Sequence, residues 1–256
     1  MAATRGRSLV QGRPAAYLEA GRGRPVVFVH GAGGRAEVWT PQLAGLADVA
    51  RVVAVDLPGH GETGGHGCRS IDDYAAWVLG LLDALGLDRV VLGGHSMGGG
   101  IAQTLALDRP DRLRGLVLMG TGARLRVLPR ILELFREGSP EALELVASLA
   151  YSPRTPPGSV AEAERALRET PMPVTLGDFM ACDRFDVMTR LHGVEIPTLV
   201  LGGRDDRVTP PKYAAFLAGA IPGARLVEIE AAGHFPQLEQ PAAVNAAVRA
   251  FLAALP

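Results

Sequence analysis

A serine between glycines lies where an apolar run meets a helical pattern. Residues 90–106 read VVLGGHSMGGGIAQTLA, and Gly94, Ser96 and Gly98 fit the pattern G-x-S-x-G. In this pattern a strand turns sharply into a helix and exposes the serine hydroxyl, with glycines where the two elements pass too close for a Cβ atom. The free N–H groups at the helix start favour negative charge there. The pattern therefore predicts that Ser96 is a nucleophile.

A serine hydroxyl needs a base that accepts its proton, and histidine is the residue type best suited to that role. His234 follows the last apolar run, ARLVEIE at 224–230, and precedes the last helical pattern. Loops that follow the strands of a parallel sheet emerge at one edge, so we expect His234 to reach Ser96. The adjacent His95 should point its side chain away from the serine.

An acid is expected to orient the imidazole of His234 and to stabilise its protonated form. The loop after PTLVLGG, residues 197–203, supplies two candidates in GGRDDRVTPP, Asp205 and Asp206. The distance of Asp206 from the end of the strand and from Pro210, which should open the next helix, favours Asp206. Asp205 remains the alternative, and the acid that is not used would be solvated or cap a helix.

Negative charge on a tetrahedral intermediate needs hydrogen-bond donors, usually two N–H groups. One predicted donor is the backbone N–H of Met97, directly after the nucleophile. The other is expected from the turn HGAGG at 30–34, whose glycines allow the backbone to approach a ligand. Within that turn, the N–H of Ala32 is our choice.

Short, nearly all-apolar β-branched runs recur along the chain and alternate with helical patterns. Strands that are apolar on both faces suit a parallel sheet covered on both sides. The alternation predicts an α/β fold, with a mostly parallel sheet of about eight strands and helices on both faces. A turn at Gln11-Gly12 predicts an antiparallel hairpin at one edge. The strand runs are residues 25–30, 51–56, 89–94, 114–120, 197–203 and 224–230.

The alternation is interrupted once, by residues 122–192, which contain helical patterns and no convincing strand. We expect a core of 1–121 and 193–256 and a helical cap of 122–192 over the strand ends; extension of one flank is the alternative. The last two helices should begin at Ser159 and Thr175, each with an acid three residues on. Four apolar side chains of the cap are candidate substrate contacts, although each could serve only packing: Phe135, Phe179, Met180 and Phe185.

Composition excludes several classes of function. The chain has 256 residues, 48% of them hydrophobic, and a formal net charge of −1. This balance gives no electrostatic basis for binding nucleic acid or an anionic membrane, and no apolar run approaches the length of a membrane span. Cys68 and Cys182 sit in no metal-ligand spacing, and free thiols suit a reducing cytoplasm, with a disulfide as the alternative. We expect a cytoplasmic enzyme without metal or cofactor and leave its oligomeric state open.

Five segments in order, HGAGG, DLPGHGET, GHSMGGG, GGRDDRVTP and AGHFPQLEQP, resemble the landmarks of the α/β-hydrolase superfamily over nearly the whole chain. The resemblance implies that fold and a triad of Ser96, Asp206 and His234. Asp56 and His60 of DLPGHG are interpreted as structural.

The resemblance is less specific for substrate. Carboxylesterases most commonly carry this pattern, so an acyl-enzyme mechanism on small to medium apolar esters is expected. Serine at the elbow argues against the dehalogenases and epoxide hydrolases of the superfamily, and His95 differs from the asparagine common in carbon–carbon bond hydrolases. Carbon–carbon hydrolase, lactonase and perhydrolase activities remain alternatives with the same triad. A non-catalytic ligand receptor on this scaffold is the alternative of another class.

Overall fold

A computed structural model describes residues 3–256, and its centre is one eight-stranded sheet. The strands lie in the order β1-β2-β4-β3-β5-β6-β7-β8, and β3 to β8 are mutually parallel. This confirms the predicted fold class. The strands are β1 (Thr4–Val10), β2 (Arg13–Ala20), β3 (Pro25–Val29), β4 (Arg51–Val55), β5 (Val90–His95), β6 (Leu113–Met119), β7 (Thr198–Gly203) and β8 (Arg225–Ile229).

The antiparallel hairpin predicted at Gln11-Gly12 is confirmed. β1 and β2 pair antiparallel, with Val10 opposite Arg13 across a two-residue turn. Gln11 and Gly12 have φ angles of 50° and 78°, the left-handed values that a type I′ turn requires at both central positions. β2 then pairs antiparallel with β4 and so joins the hairpin to the parallel strands.

Helices cover both faces of the sheet, which explains why the strands are apolar on both sides. Val27 packs with Ile101 of α3 on one face, in a cluster that also contains the buried residues of α2. Phe28, the next residue, packs on the opposite face with Leu43 of α1 and Val248 of α10. The helices are α1 (Thr40–Leu46), α2 (Ile71–Ala84), α3 (Met97–Asp108), α4 (Pro129–Arg136), α5 (Glu141–Ala150), α6 (Ala161–Glu169), α7 (Met172–Arg184), α8 (Pro211–Ala220), α9 (Pro236–Glu239) and α10 (Pro241–Ala254).

The segment between β6 and β7, residues 122–192, contains α4 to α7 and is called the insert below. The hydroxyl starts predicted for its last two helices are wrong. α6 begins at Ala161, and the Ser159 hydroxyl donates to the carbonyl of Pro156 at 2.7 Å instead of capping the helix. α7 begins at Met172 with a proline in its first turn, so Thr175 lies inside the helix. The helix start is set by proline here, because its fixed φ angle suits the first turn.

The structure also bears on the cysteines and on membrane spanning. Cys68 and Cys182 are free, and Cys182 is buried. None of the helices within residues 3–256 combines the length and the hydropathy that crossing a bilayer would require.

Candidate active site

Ser96 lies at the turn between β5 and α3 with a φ angle of 52°, which is strained for a residue with a side chain. A Cβ atom on Gly94 would overlap the Gly98 carbonyl, and one on Gly98 would overlap the Val29 carbonyl. Both glycines are therefore required by close backbone approach. The Ser96 N–H donates to Met119 O at 3.0 Å, which ties the strained turn to β6.

His234 and Asp206 form a buried pair at the carboxyl ends of β7 and β8. Asp206 Oδ2 lies 3.0 Å from His234 Nδ1 and accepts from Thr209 Oγ1 at 2.8 Å. Asp206 Oδ1 accepts from the N–H groups of Val208 and Thr209, both at 2.8 Å. Burial alone would raise the pKa of Asp206, but His234 and the Thr209 hydrogen bonds outweigh it and hold that pKa below its usual value. Asp206 is therefore an ionised acceptor that fixes Nδ1 of His234 as a donor.

Asp205, the alternative acid, points away from His234. Its carboxylate accepts from Ser152 Oγ at 2.5 Å and forms an ion pair with Arg154 at 3.0 Å. These contacts link Asp205 to the insert, so Asp205 is the partner of Ser152 and Arg154 and not of the imidazole.

His95 supports the loop that carries His234. The ring centroids of the two histidines lie 4.8 Å apart, and His95 Nε2 is 2.7 Å from the His234 carbonyl. Burial, with His234 nearby, lowers the pKa of His95 to about 3, so its ring is neutral and its Nε2–H donates to the carbonyl. Within residues 3–256, neither Ser96 Oγ nor His234 Nε2 forms a hydrogen bond, and both atoms are available to a substrate or to each other.

The turn of residues 31–34 crosses directly over the nucleophile. A Cβ atom on Gly31 would lie 3.1 Å from Ser96 Cβ. The N–H of Gly34 donates to Gly31 O at 3.0 Å, and the N–H of Gly33 donates to Asp178 at 2.9 Å. In the part of the chain that the structure describes, the N–H groups of Ala32 and Met97 have no hydrogen-bond partner. The two donors predicted for an oxyanion thus lie beside Ser96 and are unoccupied.

Comparison with known proteins identifies the family of the chain. A family model described as alpha/beta hydrolase fold matches residues 24–241. The chain belongs to the α/β-hydrolase fold family.

Relatives of this α/β hydrolase act on different substrates. A 2-hydroxymuconate semialdehyde hydrolase of Pseudomonas putida is 31% identical over 222 residues, 79% of this chain and 77% of the relative. The solved enol-lactonase of Burkholderia xenovorans LB400 is 28% identical with a TM-score of 0.90, over 97% of this chain and all of that one. A thermophilic esterase from Thermogutta terrifontis is 30% identical with a TM-score of 0.87, over 98% of both chains.

A cavity of about 500 Å³, called the Phe179 cavity, lies between the insert and the loop after β7, and its mostly apolar wall also includes Arg126, Arg207 and Lys212. Phe179 of α7, Leu149 of α5 and Val208 line it, and the N–H of Val208 is bonded to Asp206. The loop that carries Asp206 therefore forms part of the cavity wall. The volume of the cavity falls within the range of small-molecule sites.

The four apolar side chains singled out in the sequence do not meet at one place in this α/β hydrolase. Phe179 lines the cavity named after it. Phe135 packs against Phe179 within the insert, and the centroids of the two rings lie 5.3 Å apart. Met180 lines a different depression, beside Cys68. Phe185 is buried in the main core, close to Gly100 at the start of α3.

Sequence reasoning missed Asp178, which it placed at the start of a helix. Asp178 is fully buried, and its carboxylate contacts His60 and Tyr74 as well as Gly33. A signal was present, because Asp178 shares the helical spacing of Val174 and Cys182, which the structure shows to be the buried face of α7. Asp56 matches its structural interpretation, since it is buried and accepts from the Ala36 N–H at 2.8 Å.

Proposed function

We propose that this α/β hydrolase is a serine hydrolase that cleaves carboxylic esters through an acyl-enzyme. The observation that carries the proposal is the strained Ser96 at the elbow beside a buried His234–Asp206 pair. Burial raises the pKa of the Cys68 thiol to about 12, so Cys68 is not a competing nucleophile.

Each side chain of the triad has one role in the proposed reaction. Asp206 keeps the proton of neutral His234 on Nδ1, so Nε2 is free to accept the proton of Ser96. Ser96 Oγ then attacks the ester carbonyl, and His234 returns the proton to the leaving alcohol. Water, deprotonated by His234, attacks the acyl-enzyme in the second half and releases the acid and Ser96.

Charge on the carbonyl oxygen is stabilised in this proposal by the N–H groups of Ala32 and Met97. Both lack a partner within residues 3–256, and Met97 begins α3, whose N-terminus favours negative charge. A donor of this kind typically contributes about 10²–10³-fold in turnover.

The insert acts as a cap in this proposal, and the Phe179 cavity holds the apolar part of a small to medium ester. Support comes from the mostly apolar wall of the cavity, its volume of about 500 Å³ and its position next to the Asp206 loop. Burial of the substrate there excludes water and contributes about 0.8 kcal/mol per methylene. We assign the enzyme to the cytoplasm, because free Cys68 and Cys182 suit a reducing compartment.

A lactonase activity is the second candidate, supported by the likeness to an enol-lactonase over the whole of that chain. The same triad would open a cyclic ester, with the alcohol remaining attached to the acyl group. Cyclic and open-chain esters assayed side by side distinguish the two substrates.

The test is labelling with a fluorophosphonate followed by assay of p-nitrophenyl esters. Wild type should take up one label per chain and hydrolyse short esters, whereas Ser96→Ala should do neither. Ser159→Ala, at a partly exposed serine of the insert, is the matched control and should behave as wild type. Stoichiometric labelling of Ser96→Ala would contradict the assignment.

A further inference from the structure

Asp178 is a carboxylate of the insert that lies buried among core residues. It projects from α7, has no solvent exposure, and accepts from three separate parts of the core. Oδ2 accepts from Gly33 N at 2.9 Å and from His60 Nε2 at 2.8 Å, and Oδ1 accepts from Tyr74 Oη at 2.5 Å. A buried carboxylate is costly unless it is fully paired, and this one is.

The charge of Asp178 is balanced by His60. His60 Nδ1 lies 3.0 Å from the Pro58 carbonyl and Nε2 lies on the carboxylate, so both ring nitrogens face acceptors and both must carry protons. Burial opposes that charge, but Asp178 and the Pro58 carbonyl outweigh burial and raise the pKa of His60. The pair is therefore an imidazolium and a carboxylate, with Tyr74 and Gly33 as further donors.

The bond to Gly33 holds the turn that crosses Ser96. The Gly31 carbonyl accepts from Gly34 N and lies 2.8 Å from His30 Nδ1. Carbonyl and N–H point in opposite directions across a trans peptide, so these contacts direct the Ala32 N–H away from the interior of the turn. Asp178 fixes the next peptide through the Gly33 N–H, and the turn cannot rotate without breaking that bond.

We propose that Asp178 is a positioning residue, which holds the turn of residues 31–34 so that the Ala32 N–H faces the oxyanion formed on Ser96. The inference rests on the proposed function, because it needs an oxyanion at that place. The insert, and not the core alone, then completes the oxyanion hole. Asp178 touches no reacting atom and acts only through Gly33.

The decisive variants separate this bond from the other contacts of Asp178. Asp178→Ala removes the acceptor of Gly33, whereas Tyr74→Phe removes one bond to the same carboxylate and leaves the turn untouched. In Asp178→Asn the amide oxygen should occupy the Oδ2 position, where two donors point, so the Gly33 bond survives. Asp178→Ala with His60→Leu removes both charges, and replacing a buried ion pair by apolar groups is often neutral for folding.

Four quantities are measured for each variant: kcat and KM on p-nitrophenyl butyrate, the affinity for a boronic acid that mimics the tetrahedral intermediate, and Tm. We expect Asp178→Ala, alone or with His60→Leu, to lose about 10²–10³-fold in kcat and a similar factor in boronate affinity, with KM changed little. Asp178→Asn should recover most of both losses. Tyr74→Phe should lower Tm but keep kcat within about threefold of wild type.

Two results would overturn this inference and leave the proposed function standing. One is a double variant that folds and keeps wild-type kcat and boronate affinity, and the other is a Tyr74→Phe enzyme as impaired in kcat as Asp178→Ala. Either would mean that Asp178 only attaches the insert to the core. Failure of the proposed function is recognised separately, because wild type would then neither hydrolyse the ester nor react with a fluorophosphonate.

Discussion

Replacement of Asp206 by asparagine should inactivate the enzyme by reversing one hydrogen bond. Oδ1 of Asp206 accepts from two backbone N–H groups, those of Val208 and Thr209, and must stay an oxygen. The amide NH₂ of the introduced asparagine is therefore forced into the position of Oδ2, 3.0 Å from His234 Nδ1. There it donates to Nδ1, and the imidazole proton moves to Nε2. A histidine in that tautomer cannot accept the proton of Ser96.

The wrong tautomer typically costs about 10⁴-fold in kcat, which corresponds to about 5 kcal/mol of transition-state stabilisation. The backbone bonds that enforce the reversal also preserve the loop, so Asp206→Asn should fold normally. Asp205→Asn is the matched control at the adjacent position, and its half-exposed ion pair with Arg154 should matter little to turnover. Turnover of a p-nitrophenyl ester and thermal unfolding are measured for both variants. Full activity in Asp206→Asn, or a larger loss in Asp205→Asn, would refute the reasoning.

Three further predictions concern the elbow, the cavity and the buried ion pair. Gly98→Ala places a Cβ atom on the Val29 carbonyl and should destabilise the fold by about 2 kcal/mol or more, as measured by urea denaturation. The control is Gly219→Ala in α8, whose added Cβ atom meets no atom within 4 Å and which should be neutral or stabilising in the same assay. Phe179→Ala should flatten the rise of up to about fourfold in kcat/KM per added methylene from acetate upward, while Met180→Ala should leave that profile unchanged. The pKa of His60 is raised in the folded protein, so the charged imidazole contributes its full stabilisation of the fold below about pH 6.5. That contribution is lost as the pH rises through the pKa of His60 in the folded protein. The difference in unfolding free energy between wild type and His60→Leu should therefore shrink from pH 6 to alkaline pH, and a difference that grows would mean that His60 is neutral in the fold.

The sheet and the elbow could be predicted from the sequence because their causes are local. A strand covered on both faces must be apolar at every position, and the runs at 25–29 and 51–55 show this directly. The glycines around Ser96 are explained by atoms in the immediate neighbourhood of the turn. The choice of Asp206 over Asp205 also rested on local spacing within one loop.

The individual contacts of the insert could not be predicted from sequence, because an amphipathic helix shows which face is buried and not which residues cover it. Phe179 and Met180 are consecutive, and residues one apart on a helix differ in direction by about 100°. They consequently face different cavities, a separation that the composition of the segment does not reveal. The pair Thr175 and Asp178 matches a helix-start pattern, but α7 had already begun at Met172 and Asp178 serves the core instead.

The contacts of the insert bear on how substrate and catalysis are connected in this α/β hydrolase. Three loops each carry a proposed catalytic group, and each forms a hydrogen bond with the insert. The bonded residue in the loop is either the catalytic residue itself or its neighbour in the chain. Asp178 binds Gly33 beside Ala32, and Ser152 binds Asp205 beside Asp206. The third contact joins the His234 N–H to the Ala150 carbonyl at 2.6 Å. The insert therefore lines the Phe179 cavity and also holds the oxyanion turn and the loop of the base, so we expect substitutions at these contacts to change turnover as well as substrate preference.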